Sequence, residues 1–211
     1  MVEQGILTEP LTATLSGGLV TLEPFAEEHR DGLWEAAQPD EIWTWLAHLN
    51  KSREFFDGWF DATLASNAAG AGVPGETGAF AVRRNADGVL VGTSRYLGVR
   101  RHDRVVEIGW TWFNPLVWRT GVNVETKLLM FTHAFETLGC KVVGLRTDNF
   151  NFRSQQAIEA LGAKKDGVIR HHKARKDGSV RDSCIYSILA AEWPDVKRHL
   201  QSRLERHSAP P

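Results

Sequence analysis

One segment near the middle of the chain restricts the fold more than any other. It begins with VVEIGWTWF (Val105 to Phe113), continues through the loop NPLVWRTG, and ends with a helical pattern from Val122 to Leu138. β-branched and aromatic residues favour a strand, and Gly139 after the periodic run favours a helix C-terminus. The segment therefore predicts a strand, a loop and a long helix, with the end of the strand beside the start of the helix.

The flanking sequence predicts one α/β domain with a sheet of mixed strand direction. The length of 211 residues fits a single domain, and the small, uncharged segment 67–75 predicts a loose connection. The other predicted strands are Leu19 to Pro24, Ala79 to Arg83, Val89 to Leu97, Val142 to Thr147, Val168 to Lys176 and Val180 to Leu189. The other predicted helices are His29 to Ala37, Asp40 to Leu49, a helix after Ser52, Asn151 to Leu161, and Trp193 to Arg206.

Composition excludes several classes of protein. Hydrophobic residues make up 42% of the chain and the formal net charge is −1, which argues against a disordered acidic chain and against a basic nucleic-acid binder. No apolar run is long enough to span a membrane, and the first residues lack a secretory signal. Cys140 and Cys184 are too few for a disulfide framework, and no cluster has metal-site spacing. We expect a soluble, cytoplasmic protein with no metal, no membrane and no nucleic acid as partner.

The loop before the long helix is a candidate anion site. Backbone N–H groups at a helix start bind phosphate, Arg119 can add a charged contact, and Gly121 can let the backbone approach the anion closely. The loop matches neither GxGxxG nor GxxxxGK[ST], which excludes a dinucleotide fingerprint and a nucleotide P-loop. The alternative is an ordinary turn between a strand and a helix.

A second candidate segment is TDNFNFRSQQAIEALGA, from Thr147 to Ala163. A strand ends at its first residue, and Asn151 and Ser154 follow at the opening of the next helix. Residues three apart on a helix lie on the same side, so both can face a ligand across the strand ends. The alternative is that the two residues only cap the helix.

Together these segments resemble a known family. WRTGVNVE (Trp118 to Glu125) is similar to a pyrophosphate loop of the form Q/R-x-x-G-x-G/A, with Trp118 and Asn123 as departures from it. The run from Asp148 to Ala163, the opening LVTLEPFAEEH and the closing stretch GVIRHHKARKDGSVRDSCIYSIL fit the same family. The chain resembles a GNAT-type acyl-CoA N-acyltransferase of the RimJ/RimL-like branch over about Leu19 to Leu204.

The resemblance implies a GNAT fold, in which a mixed, mostly antiparallel sheet splays between two parallel strands and is flanked by helices. It implies acetyl-CoA as co-substrate, with its pantetheine arm in the splay. Asn123 was expected to keep the loop shape because asparagine readily adopts left-handed backbone angles. The implied acetyl-CoA-binding residues are Trp112, Phe113, Arg119, Thr120, Gly121, Val122, Asn123, Val124, Asn151, Arg153 and Ser154.

The implied reaction is acetyl transfer to a primary amine by direct attack in a ternary complex. Ser154 is the candidate proton donor to the thiolate, and Glu107 is the candidate base, with His102 and Asp103 as competitors that we expect at the surface. The acceptor is a protein N-terminus or a small-molecule amine, and a longer acyl donor such as succinyl-CoA stays open, as does a homodimer.

The eight tryptophans bear on the acceptor. Phe55, Phe56, Trp59, Phe60 and Leu64 share one predicted helix face, and most aromatic residues before Ala79 are expected in the core. Trp43 and Trp45 are the candidate residues of an apolar acceptor pocket.

The stretch from Lys164 to Arg181 is strongly basic. A solvated strand face, attraction of CoA phosphates and contact with an acidic partner such as RNA are all consistent with it. A non-catalytic CoA-binding or ribosome-associated module is therefore the alternative to an enzyme.

Overall fold

The structure is a computed structural model that describes residues 7, 9–45, 51–68, 76–175 and 177–208. The strands in these residues are β1 (Leu15–Ser16), β2 (Val20–Pro24), β3 (Gly78–Arg84), β4 (Leu90–Arg100), β5 (Val105–Phe113), β6 (Val142–Asp148), β7 (Lys164–Ala174) and β8 (Val180–Leu189). The α-helices are α1 (Arg30–Ala36), α2 (Asp40–Trp43), α3 (Arg53–Ala68), α4 (Val122–Thr132), α5 (Phe152–Ala160) and α6 (Trp193–Ser208).

The strands form one sheet in the order β1-β2-β3-β4-β5-β6-β8-β7. Neighbouring strands are antiparallel except β5 and β6, which are parallel because α4 returns the chain to the same end of the sheet. The predicted mixed sheet flanked by helices is confirmed. The sequence did not predict the two-residue β1, and it placed the start of β7 at Val168 rather than Lys164 because KKDG lacks apolar alternation.

Helices cover both faces of the sheet. Alternation along β3 directs Phe80 and Val82 to a core shared with α4, α5 and α6, while Ala79 and Ala81 face a second core with α1, α2 and α3. We call these the α4 face and the α3 face. Both faces of the sheet carry apolar side chains, so successive residues of the central strands are apolar instead of alternating with polar ones.

Helix α3 begins as predicted, since Ser52 Oγ accepts a hydrogen bond from the N–H of Phe55 at 3.2 Å. The predicted apolar face was wrong for Phe55, which is 39% exposed. The buried stripe follows Phe56 and Phe60, and Phe55 lies one residue, about 100°, away from it. In the predicted connection, Asn67 and Ala68 belong to α3, and residues 69–75 lie outside the described residues. The helix predicted from Asp40 to Leu49 was too long, because α2 ends at Trp43; residues 46–49 lie outside the described residues.

The parallel pairing of β5 with β6 is short. It runs from Val105, opposite Val142, to Ile108, opposite Leu145. On its other side, β5 stays paired with β4 as far as Phe113. The stretch from Gly109 to Phe113 therefore has a backbone edge toward β6 that the ladder does not use, which is the splay that the resemblance implied.

Strand β5 contains a bulge close to the point where it separates from β6. The register with β4 shifts between Thr93 and Arg95, and Trp110 in the opposing strand has a φ of +49°. For a bulky residue this backbone conformation costs about 1–3 kcal/mol, and such residues often occur at functional sites.

Lys127 of α4 links β4 and β5 at this bulge. Its Nζ lies 2.8 Å from Ser94 Oγ and 2.6 Å from Thr111 Oγ1, and the two hydroxyl oxygens are 2.8 Å apart. The side chain is 4% exposed, and burial lowers the pKa of Lys127 to about 7. A neutral amine can accept one hydrogen bond as well as donate, so it fits between two hydroxyls.

Glu125 fixes the start of α4 to the turn between β1 and β2. Its carboxylate accepts hydrogen bonds from the N–H groups of Gly18, Leu19 and Val20 at 2.9, 2.6 and 2.8 Å. A Cβ at Gly17 would lie 2.5 Å from Glu125 Cδ, so only glycine fits there. The contact places the first turn of α4 against the sheet.

Replacing Lys127 tests its neutral state. Between pH 7 and pH 10.5 the unfolded chain binds a proton that the folded chain does not, so Lys127 adds a stability that rises with pH. The free energies of unfolding of the wild type and of Lys127→Met should therefore differ by an amount that is constant below pH 7. From pH 7 to pH 10 this difference should change by about a few kcal/mol, which is the energy that corresponds to the pKa difference between the folded and unfolded states. A difference that stays constant across this range would contradict the neutral amine.

Replacing Glu125 tests the contact at the start of α4. Glu125→Gln keeps the shape of the side chain but replaces one of its two acceptor oxygens by an amide NH₂ donor that faces backbone N–H groups. We therefore expect the free energy of unfolding in urea to fall by about 1–3 kcal/mol. Glu205→Gln, at an exposed position of α6, is the control and should change it little. Equal effects of the two substitutions would contradict a structural role for the Glu125 contact.

Candidate functional site

The first turn of α4 offers backbone donors next to the splay. Gly121 is the N-cap, and Glu125 makes the first hydrogen bond within the helix, to the carbonyl of Gly121. The N–H of Val122 is bound by Thr120 Oγ1 at 3.2 Å, so helix geometry leaves the N–H groups of Asn123 and Val124 without an acceptor inside the helix. Two such N–H groups, together with the helix dipole, are suited to binding an anion. The side chains of Val122 and Val124 are core residues.

The loop residues reach this arrangement for reasons that differ from those expected. Gly121 has helical backbone angles, and a Cβ there would lie 2.6 Å from Leu19 Cδ1, so a larger residue would displace the Leu19 side chain. The left-handed residue is Arg119, with a φ of +62°, whereas Asn123 is helical. The expectation that Asn123 supplies the left-handed conformation was therefore wrong. Arg119 is exposed and can reach a bound anion.

Trp118 connects the loop to the second predicted segment. Its Nε1 donates to the carbonyl of Phe113 at 2.8 Å, and the guanidinium carbon of Arg153 lies 4.0 Å from its ring centroid. The tryptophan therefore joins β5, the loop before α4 and the start of α5. A cation–π contact of this kind holds Arg153 close to the anion site.

The start of α5 carries Asn151 and Ser154, as predicted. Asn151 Oδ1 accepts a hydrogen bond from the N–H of Ser154 at 3.0 Å, so the capping interpretation is confirmed for Asn151. Ser154 is half-buried, and within the described residues its hydroxyl has no hydrogen-bond partner. The Asn151 amide NH₂ and the Ser154 hydroxyl can both still bind a ligand.

The strand residues of the predicted site flank the splay. Trp112 is buried on the α3 face, where its ring centroid lies 6.5 Å from that of Trp59. Phe113 is buried on the α4 face, and its carbonyl is bound by Trp118. Both residues can offer a ligand only their backbone groups, and the Phe113 carbonyl is already used.

Glu107 lies within the ladder, opposite Gly144, and is not an exposed carboxylate. Its side chain is 14% exposed and forms an ion pair with Arg146, in which Nε lies 3.0 Å from Oε2 and Nη2 contacts the same oxygen. Oε1 is not used by this ion pair. The competing candidates, His102 and Asp103, are 94% and 55% exposed in the turn between β4 and β5, as expected.

Sequence reasoning missed a polar network that extends from Glu107. His172 Nε2 lies 3.2 Å from Arg146 Nη1, and His172 Nδ1 lies 2.9 Å from Ser183 Oγ. Burial, followed by the charge of Arg146, lowers the pKa of His172 and favours the neutral ring. The signal was the paired HH on a strand that is predicted to pair with the RDSC strand, but the register shift between Ile169 and Lys173 that brings His172 beside Ser183 is not visible in a sequence.

Asp148 closes this network at the end of β6. Arg175 Nε lies 2.8 Å from its Oδ2, and Arg181 is 4.0 Å from the same oxygen. Burial raises the pKa of Asp148, but the hydrogen bonds from Arg175 and from the N–H of Phe150 outweigh it and lower the pKa. Part of the predicted basic stretch is therefore neutralised internally, whereas Lys165, Arg170 and Lys173 are exposed on the edge strand β7. Lys176 lies outside the described residues.

The aromatic residues before Ala79 are mostly core, as expected. Trp43 is 7% exposed and its Nε1 donates to the carbonyl of Ala37 at 2.8 Å, while Trp45 is 39% exposed. The two candidate pocket residues therefore have different surroundings. Trp34, Phe56, Trp59 and Phe60 form a cluster under the α3 face.

Two further absences concern the described residues. No group of three or more His, Cys, Asp or Glu side chains gathers there in a way that could hold a metal ion. Nor does that part of the chain contain a helix with the length and apolar character needed to cross a membrane. Cys140 and Cys184 are both buried and unpaired, and burial raises the pKa of Cys140 to about 11.

Comparison with known proteins agrees with this geometry. YoaA of Bacillus subtilis strain 168, an uncharacterized N-acetyltransferase, is 28% identical over 100 residues, which are 47% of this chain and 55% of that protein. The matched region thus spans about half the length of this curated relative. The crystal structure of a GCN5-related N-acetyltransferase from Brucella melitensis has a TM-score of 0.83 and 26% identity, covering 97% of this chain and 90% of that one.

A complex with a CoA derivative is also among the similar structures. RimJ of Mycobacterium smegmatis, bound to CoA-disulfide, has a TM-score of 0.75 at 18% identity and covers 90% of this chain and 93% of that one, which shows a shared fold. The acetyltransferase (GNAT) domain model matches residues 20–164, from β2 to the start of β7. This match includes the splay, the start of α4 and the start of α5, and the chain belongs to the GNAT acetyltransferase family.

Proposed function

We propose that the protein is an acetyl-CoA-dependent N-acetyltransferase that acts on a primary amine in a ternary complex. The observation that carries the proposal is the separation of β5 from β6 after Ile108, beside the free N–H groups of Asn123 and Val124. A strand edge and a helix start placed together match a ligand with amides at one end and phosphates at the other. Acetyl-CoA is such a ligand.

The donor residues follow from this arrangement. The pyrophosphate binds the N–H groups of Asn123 and Val124, with Arg119 as a charged contact, and the pantetheine amides pair with the free edge of β5 from Gly109 to Phe113. Asn151 donates from its amide to the pantetheine, and Arg153 lies beside the anion site. The resemblance to the RimJ/RimL-like branch supports these assignments through the motifs of the loop and of α5.

The chemical step needs three groups. The neutral amine attacks the thioester carbonyl carbon, a C–N bond forms, and the C–S bond breaks with its electrons on sulfur. Backbone N–H groups of β5 near the Trp110 bulge stabilise the carbonyl oxygen, and Ser154 donates a hydrogen bond or proton to the leaving thiolate. Glu107 receives the amine proton through a water at Oε1, the oxygen that Arg146 leaves free.

The acceptor is a protein N-terminal amine or a small-molecule amine, approached from the α3 face where Trp43 and Trp45 lie. The acyl group is acetyl, with a longer acyl group as the alternative donor. A CoA-binding or RNA-associated module without catalysis is the rival function. The exposed residues Lys165, Arg170 and Lys173 on the edge strand favour it.

Replacing Ser154 tests the proposed chemistry. In an assay of free thiol release from acetyl-CoA across amines and peptides, Ser154→Ala should lower kcat by about 10–100-fold, because the thiolate loses its hydrogen-bond donor, with the Kd of acetyl-CoA changed less than about threefold. Ser202→Ala, exposed on α6, is the matched control.

An unchanged kcat in Ser154→Ala, with the chemical step limiting, would remove the proposed role of this serine. CoA binding without turnover of any acceptor, together with RNA binding that weakens with salt, would favour the rival function instead.

A further inference from the structure

Arg95 is a buried cation that has no carboxylate partner among the described residues. It lies on the α3 face, 8% exposed, with its guanidinium carbon 5.7 Å from the ring centroid of Trp59 and 5.3 Å from that of Trp110. Its Nη2 donates to Thr63 Oγ1 at 3.0 Å. Of the residues outside the described ranges, only Glu3 is acidic.

A buried guanidinium without a counter-charge is unfavourable. Burial removes the hydration of the guanidinium, and contacts with aromatic rings replace only part of it. Burial alone lowers the pKa of Arg95 to about 10, as expected where no acidic group is close. Arg95 is therefore poorly explained as a stabilising residue of the core.

A buried hydrogen-bond donor without an acceptor lies beside Arg95. Trp59 Nε1 is buried, and it has no hydrogen-bond acceptor in the described part of the chain. Buried N–H groups in native proteins nearly always have an acceptor, so an unpaired one next to an unpaired cation points to a ligand. A group that only accepts hydrogen bonds and carries a negative charge fits both donors, and a carboxylate is such a group.

The register places these donors next to the proposed reaction centre. Arg95 is opposite Gly109, the first residue of β5 beyond the ladder with β6. Arg95 contacts Thr63 of α3, and Trp59 belongs to the same helix, so both donors lie on the α3 face. The start of α4, where the pyrophosphate is proposed to bind, lies on the other side of the sheet. An amine bound here would approach the thioester from the side that the CoA phosphates leave open.

We infer that the acceptor is an amine that carries a carboxylate, an amino acid being the simplest case, and that Arg95 and Trp59 Nε1 bind this carboxylate. The carboxylate site rests on a buried cation without a carboxylate partner, Arg95, and on a buried N–H without an acceptor, Trp59 Nε1, both within the described residues. Its use by an acceptor rests on the proposed function. The tryptophan rings around Arg95 favour an apolar or aromatic body. An acceptor of this kind is a small molecule rather than a protein N-terminus.

Binding tests the carboxylate site without any turnover. In calorimetry on the CoA-loaded protein, 3-phenylpropionate should bind at least about tenfold more tightly than 3-phenylpropionamide, which has the same shape but no charge. Arg95→Met should abolish this preference, and Trp59→Phe, which keeps a ring but removes the indole N–H, should weaken binding of the acid about threefold or more. Arg100→Met, in an exposed ion pair with Asp103, is the control and should leave it unchanged.

Turnover then tests whether the site serves the acceptor. With L-phenylalanine and L-phenylalaninamide as acceptors, Arg95→Met should raise the KM of the acid about tenfold or more relative to that of the amide, with the KM of acetyl-CoA unchanged. Acid binding without turnover of any amine would leave the carboxylate site standing and overturn the proposed function and the acceptor role.

Two results would overturn the carboxylate site itself. One is equal binding of the acid and the amide to the wild-type protein. The other is a lower Tm in Arg95→Met with equal losses for both ligands, which would assign Arg95 a purely structural role. The inference expects an unchanged or higher Tm, because the substitution removes a buried charge without a counter-charge.

Discussion

The short parallel pairing of β5 with β6 is the constraint on which the rest of the site depends. The strands are joined from Val105 to Ile108 and separate above that point, while β5 stays bound to β4 throughout. The separation gives β5 a free backbone edge in the middle of the sheet, and sheets otherwise cover such edges or pair them. A ligand that carries its own amides can complete the ladder there.

Buried polar side chains hold the walls of this gap. Glu125 ties the start of α4 to the turn before β2, and Lys127, one turn of helix away or less, ties β4 to β5 at the Trp110 bulge. Each charged or polar head meets specific partners. Arg95 differs, because in the described structure its guanidinium has only Thr63 and two tryptophan rings as partners. This contrast is the basis for the inference that Arg95 binds a ligand.

Much of the fold was predictable from the sequence, because periodicity and turn residues are local signals. The strand VVEIGWTWF, the left-handed Gly139 and the Asn151 cap all follow from short-range patterns, and the order of strands and helices followed from them. The helix predicted from Val122 to Leu138 is an α-helix only to Thr132 and continues as a π-helix from His133 to Thr137. The same patterns could not show that Gly121 packs against Leu19, or that Phe55 lies off the buried stripe, because these depend on packing between distant segments.

The candidate site was predicted in part, through motifs that lie next to each other in the chain. The loop before α4 and the start of α5 do meet, joined by Trp118 and Arg153. The residues that sequence reasoning missed, Arg95, Lys127 and His172, are charged or polar residues within strands and helices whose partners come from other elements. Pairing between elements sets their burial, and burial sets their protonation.

The central claim is that acetyl-CoA completes the ladder of β5, and a crystal structure of the complex measures this directly. The account predicts pantetheine amides hydrogen-bonded to the backbone of β5 between Gly109 and Phe113, and pyrophosphate oxygens within about 3.2 Å of the N–H groups of Asn123 and Val124. A complex in which acetyl-CoA binds elsewhere, with the gap between β5 and β6 unchanged and empty, would contradict it.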